Sequence, residues 1–79
     1  MEFRINYYSD NDTLLGEEIL NYGSYDMAEN SIIELLKDDY IKINKTRNGR
    51  EVRTVILSNK VAKIKITDAT PNKVTVRPF

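Results

Sequence analysis

Hydrophobic and polar positions alternate from the start of the chain. In residues 2–8, EFRINYY, Phe3, Ile5 and Tyr7 fall on one face and Arg4, Asn6 and Tyr8 on the other, which predicts a first strand. Ser9-Asp10-Asn11-Asp12 follows as turn chemistry, because Asx and Ser side chains bond back to nearby backbone. A second strand over residues 13–20, TLLGEEIL, closes a hairpin with a less regular pattern. A four-residue loop sets Phe3 opposite Glu18, and a five-residue loop sets Ile5 opposite Glu17. The alternation does not choose between them, and a one-residue slip exchanges the faces.

The period changes after Asn21-Tyr22-Gly23. Tyr25, Ala28, Ile32, Leu35 and Leu36 follow helical spacing, with Ile33 and Tyr40 widening the same face. Ser24 or Asp26 starts this helix, and Asp26 with Glu29 has the form of a capping box. Asp38-Asp39 stands where the helix ends, since acids there oppose its dipole.

Period two then returns. Ile41 and Ile43 mark a third strand, and Asn48-Gly49 is the strongest local signal in the chain. Both central residues of a type I′ turn need positive φ, which Asn and Gly tolerate best. That turn sets Arg47 opposite Arg50, Ile43 opposite Thr54 and Ile41 opposite Ile56. Ser58-Asn59-Lys60 reads as a three-residue turn with Asn59 left-handed, placing Ala62, Ile64 and Ile66 beside Ile56, Thr54 and Val52. A last turn at Asp68–Asn72 brings Val74 and Val76 to Ile66 and Ile64.

The expectation is therefore one α+β domain over residues 1–79, in the order ββαββββ. It has an N-terminal β-hairpin, one amphipathic helix packed on a sheet face and a C-terminal antiparallel meander. The expected core is Phe3, Ile5, Ala28, Ile32, Leu35, Leu36, Ile41, Ile43, Ile56, Ile64, Ile66, Val74 and Val76. A core of this size supplies only a few kcal/mol of net stability, so a homodimer is a natural supplement.

Charge adds what hydropathy leaves out. Twelve basic and twelve acidic residues give zero net charge, but they are not mixed. Residues 1–40 hold ten acids against Arg4 and Lys37; residues 41–79 hold ten bases against Glu51 and Asp68. Such asymmetry marks an interaction surface, or two halves that neutralise each other on folding.

Two surfaces follow. The acidic one joins Asp10, Asp12, Glu17, Glu18, Glu34 and Asp38 to Tyr8 and Tyr22. Tyrosine supplies interface area at little rotamer cost, so this half suits a protein partner. The basic one is the outward face of the expected meander: Lys42, Arg53, Lys63, Lys65, Lys73 and Arg77, with Val55, Leu57 and Val61 among them. On that register Arg53 lies beside Lys65 and Val55 beside Lys63. Like charges so placed repel unless an anion such as nucleic acid sits over them. All five tyrosines lie in the acidic half, so the basic face lacks the stacking platforms of single-strand binders.

Catalytic chemistry has little footing. The chain has no cysteine and no histidine, which removes thiolate nucleophiles and the commonest general base and zinc ligand. Asp10-Asn11-Asp12 begins like a calcium loop, but Leu14 and Leu15 occupy the next required positions. Glu17 and Glu18 alternate faces on a strand and cannot share one acid–base pocket. No phosphate-binding glycine loop or nucleophile elbow is present. No metal, no cofactor and no enzymatic activity are expected.

No apolar run reaches the ~18 residues of a membrane span, and no basic-then-apolar leader is visible. The sequence thus predicts a cytoplasmic, non-enzymatic protein-binding module. Its style is that of an accessory regulator or inhibitor from a phage or mobile element, including inhibitors of host defence. Nucleic-acid binding through the basic face is the alternative.

Overall fold

The computed structural model describes residues 1–71. Its fold is α+β, with five strands in antiparallel sheets and one helix that packs on a sheet face. Strands β1 (Glu2–Tyr8) and β2 (Leu14–Asn21) precede helix α1 (Tyr25–Leu35). Strands β3 (Tyr40–Arg47) and β4 (Arg50–Leu57) follow, then a 3-10 turn (Ser58–Lys60) and β5 (Lys63–Asp68).

The first hairpin resolves its register with a bulge. Ser9 Oγ accepts from the Asn11 and Thr13 N–H groups at 3.2 Å, and Asp12 takes a left-handed φ of 60°. The loop therefore has five residues, and Tyr8 pairs Leu14 as that length requires. An extra residue then enters β2: Tyr7 pairs Gly16, so Ile5 meets Glu18 and Phe3 meets Leu20. The five-residue register holds only at the loop. Beyond it the bulge shifts every pair by one and gives Phe3 an apolar partner in Leu20.

Ser24 caps α1, its Oγ accepting from the Met27 N–H at 3.2 Å. Ser24 rather than Asp26 thus opens the helix. Ala28 and Ile32 are buried and Leu35 is half-buried, as the periodicity requires. Ile33, Leu36 and Tyr40, expected on the buried face, are instead exposed. Tyr25 lies at the margin: half exposed, it sets its ring edge-on to Phe3 at 4.9 Å, and its Oη accepts from the Asp68 N–H.

The β3–β4 hairpin carries the expected register throughout: Arg47 opposite Arg50, Ile43 opposite Thr54, Ile41 opposite Ile56. Asn48 and Gly49 have φ of 51° and 77°.

The C-terminal meander stops there. β5 does not pair with β4 but crosses to β1, so the sheets are β2-β1-β5 and β3-β4. Asn59 is not left-handed; residues 58–60 form a single 3-10 turn, after which Ala62 N–H donates to the Tyr8 carbonyl. Ile66 pairs Ile5 and Ile64 pairs Tyr7, in place of the Val52 and Thr54 neighbours of the meander register. The physical reason lies in β1. Phe3, Ile5 and Tyr7 are fully buried, and a strand so placed needs hydrogen-bond partners on both edges. β2 satisfies one edge and β5 the other. The expected last strand, with Val74 and Val76, lies outside the described residues.

The core gathers Phe3, Ile5, Tyr7, Ala28, Ile32, Ile41, Ile43 and Ile56, with Leu15, Leu20, Leu35, Ile64 and Ile66 packed against it. Burying each large side chain contributes about 1.5–3 kcal/mol. Gly16 is where the β3–β4 hairpin meets β2: a Cβ there would lie 2.8 Å from Ile56 Cδ1 and 3.0 Å from Ile43 Cδ1. No described helix is long and apolar enough to cross a membrane.

Candidate functional site

The topology redistributes both candidate surfaces. Glu17 and Glu18 occupy opposite faces of β2. Glu18 turns inward, where its Oε2 accepts a 2.6 Å hydrogen bond from the Tyr7 hydroxyl. Burial, reinforced by that carboxylate, pushes the Tyr7 phenol well above its ordinary pKa. Glu17 turns outward, half-buried, with Arg4 at 3.7 Å. Tyr22 packs by Phe3, ring centroids 6.4 Å apart. Asp10 and Asp12 lie in the first turn, Glu34 on the exposed side of α1 beside Lys37, and Asp38 in the turn after the helix.

Tyr8 is on the outward face of the three-stranded sheet, covered by Lys63 and Lys65 at 5.1 and 5.6 Å from its ring centroid. Such cation–π contacts contribute about 0.5–1 kcal/mol at exposed sites. Lys63 also reaches Asp12 Oδ1 at 2.8 Å. That hydrogen bond and the ammonium charge hold the Asp12 carboxyl below its usual pKa. Asp68 is lowered likewise, chiefly by the hydrogen bond it accepts from the Thr70 backbone N–H. The eight acidic-surface residues therefore do not form one patch. Glu18 faces the core side, Tyr8 sits under cations, and Asp12, Glu17 and Glu34 have basic neighbours.

The basic set divides as well. Lys63 and Lys65 pair with Tyr8 and Asn6 on β1, not with Val55 and Arg53 as the meander register required. Lys42 and Arg53 remain together on the outward face of β3–β4, where Lys42 pairs Val55 and Asn44 pairs Arg53. Lys73 and Arg77 lie outside the described residues.

What the structure assembles instead is the exposed half of the β3–β4 ribbon. Ile41, Ile43 and Ile56 anchor one end in the core, while every residue from Thr46 to Arg53 is exposed. This half and its shoulder carry Lys45, Arg47, Arg50 and Arg53 against Glu51, which binds Arg53 at 3.0 Å. Lys45, Arg47 and Arg50 have no ion-pair partner among the described residues. Arg47 and Arg50 face each other across the turn. Lys45 and Arg47 also line a groove of about 250 Å³ against Gly16 and Glu17.

Lys45, Arg47 and Arg50 are not among the residues that the sequence nominates for either surface. The signal was available: the Asn48-Gly49 register already sets Arg47 against Arg50. It is outweighed by a meander whose outward face, opposite to Arg47 and Arg50, gathers β5's lysines beside Arg53. No group of three or more potential metal-ligating side chains occurs among the described residues. Compared with family models, curated proteins and solved structures, the chain finds no match.

Proposed function

We propose that the chain is a non-enzymatic, cytoplasmic binding module whose β3–β4 ribbon grips duplex nucleic acid through its phosphates. One observation carries this reading. The ribbon's exposed half and its shoulder carry Lys45, Arg47 and Arg50 on one face, with Arg47 opposite Arg50 and neither neutralised among the described residues, while Arg53 is bound to Glu51 on the other face. Facing like charges cost stability that a bound polyanion returns. A two-stranded ribbon fits the major groove of a duplex. No aromatic residue lies between Ile41 and Ile56, which favours duplex phosphates over stacked single strands.

The test is fluorescence anisotropy with a short labelled duplex over a salt series. Affinity should fall linearly on logarithmic axes, and the double variant Arg47→Gln/Arg50→Gln should lower the slope by roughly 2. No binding at low salt, or a slope the variant leaves unchanged, overturns the proposal.

A second reading, a protein-binding regulator or inhibitor, rests on a different observation. Asp10, Asp26, Glu29, Asp38 and Asp39 are exposed and outside every ion pair among the described residues. Affinity capture with and without nuclease separates the readings: a protein partner that survives nuclease and is lost on charge reversal of these acids supports the second.

A further inference from the structure

The anchored end of the ribbon has an outward face of its own, distinct from the cationic tip. Val55 is 59% and Leu57 52% exposed there, beside Tyr40, with the unpaired Lys42 and the Arg53–Glu51 pair flanking them. On the other side of the charge division, α1 presents a matching surface. Met27 is 56% and Ile33 52% exposed on its outward face, among Asp26, Glu29 and Asn30. One surface is apolar with a cationic border; the other is apolar with an anionic border.

We infer that these are two sides of one contact, and that α1 of one molecule docks on the β3–β4 outward face of a second copy. Charge selects this arrangement over the symmetric alternatives. Two ribbon faces brought together would set the unpaired Lys42 against its own copy, and two helix faces would set Asp26 and Glu29 against theirs. Only the helix-on-ribbon contact joins opposite signs over exposed apolar side chains. Zero net charge leaves no overall repulsion between copies. The contact is heterologous, so it builds rings or open chains rather than a closed two-fold pair. It uses none of Lys45, Arg47 and Arg50, which lie on the ribbon's other face, and stands independently of nucleic-acid binding.

The experiment is sedimentation velocity on the full chain over a concentration series, at low and high salt. Two variants each disable one side at an exposed position: Ile33→Lys on the helix and Val55→Glu on the ribbon. Circular dichroism confirms that both remain folded. Wild-type protein should show mass rising with concentration, and less so at high salt. Each variant alone should sediment as a 9.2 kDa monomer. Mixed, they should form a one-to-one dimer, because the first retains its ribbon and the second its helix. A wild type that stays monomeric at every concentration overturns the inference. So does an Ile33→Lys variant that still self-associates, which would reveal a symmetric ribbon contact, or a mixture that stays monomeric.

Discussion

The three-stranded sheet and the β3–β4 ribbon use strands of similar length, yet different things hold their strands in register. In the sheet, β1 has both edges paired, and Phe3, Ile5 and Tyr7 have no solvent exposure at all. One partner, β2, is the next strand along, and the other, β5, comes from the far end of the described chain. In the ribbon, two adjacent strands share one tight turn, and only the end with Ile41, Ile43 and Ile56 reaches the core. Long-range burial thus fixes the sheet, whereas two residues with positive φ fix the ribbon. The first arrangement makes a rigid base. The second leaves a locally ordered arm free to carry charges that a packed sheet would exclude.

Removing one anchor from the base should produce the largest effect. Phe3→Ala deletes a fully buried ring that touches Tyr22 and Tyr25, and should cost about 3–5 kcal/mol. That is a large share of the stability of a small domain, so urea unfolding should find the variant mostly unfolded or nearly so. Val55→Ala on the ribbon should change stability by no more than about 0.5 kcal/mol. Equal losses at the two positions would break the contrast, since they would mean that both regions are anchored alike.

A smaller change should act on the arm alone. Gly49 has φ of 77°, and a side-chain methyl at that position would meet only open space. Gly49→Ala therefore loses stability through backbone strain alone, about 1 kcal/mol. Hydrogen exchange should quicken about fivefold for ribbon amides near the turn, with the slowest amides of β1 less affected. A uniform acceleration across both regions would show that the ribbon opens only with the whole fold.

The same contrast explains what the sequence could disclose. Every ribbon pair was legible because Asn48-Gly49 encodes its register within two residues. The inward alternation of Ile64 and Ile66 was legible too, but not which strand they join. Alternation states which face a residue takes; it is silent on the neighbour across the hydrogen bonds. That choice depended on the open edge of β1, where Ile5 waits for Ile66 from the far end of the described chain. The bulge at Leu15 was hidden for a related reason, since it makes sense only once Leu20 is seen opposite Phe3. The site inherited these limits. Lys63 and Lys65 left the basic face with β5, and the acidic set lost Glu18 to the inner side with the register.

The smallest expected effect tests where the two charged halves of the chain touch. Lys63–Asp12 is the one ion pair among the described residues that joins an acid of residues 1–40 to a base of residues 41–79. Asp12→Asn is a clean probe, because Asn also tolerates the φ of 60° found there. Lys63 lowers the Asp12 pKa from its ordinary 3.8, so the folded state binds this proton less readily than the unfolded chain. The pair's contribution is therefore fully present above that value and disappears as pH falls through the lowered one. Acid unfolding should show wild type slightly more stable than the variant near neutrality, the two curves converging in strong acid. Both carboxylate and ammonium are exposed, so added salt should shrink the gap. Curves that stay parallel down to strong acid would mean that the pair carries no folding energy. The acidic and basic halves would then be joined by apolar packing, hydrogen bonds and the cation–π contacts on Tyr8, with the remaining charges left for partners.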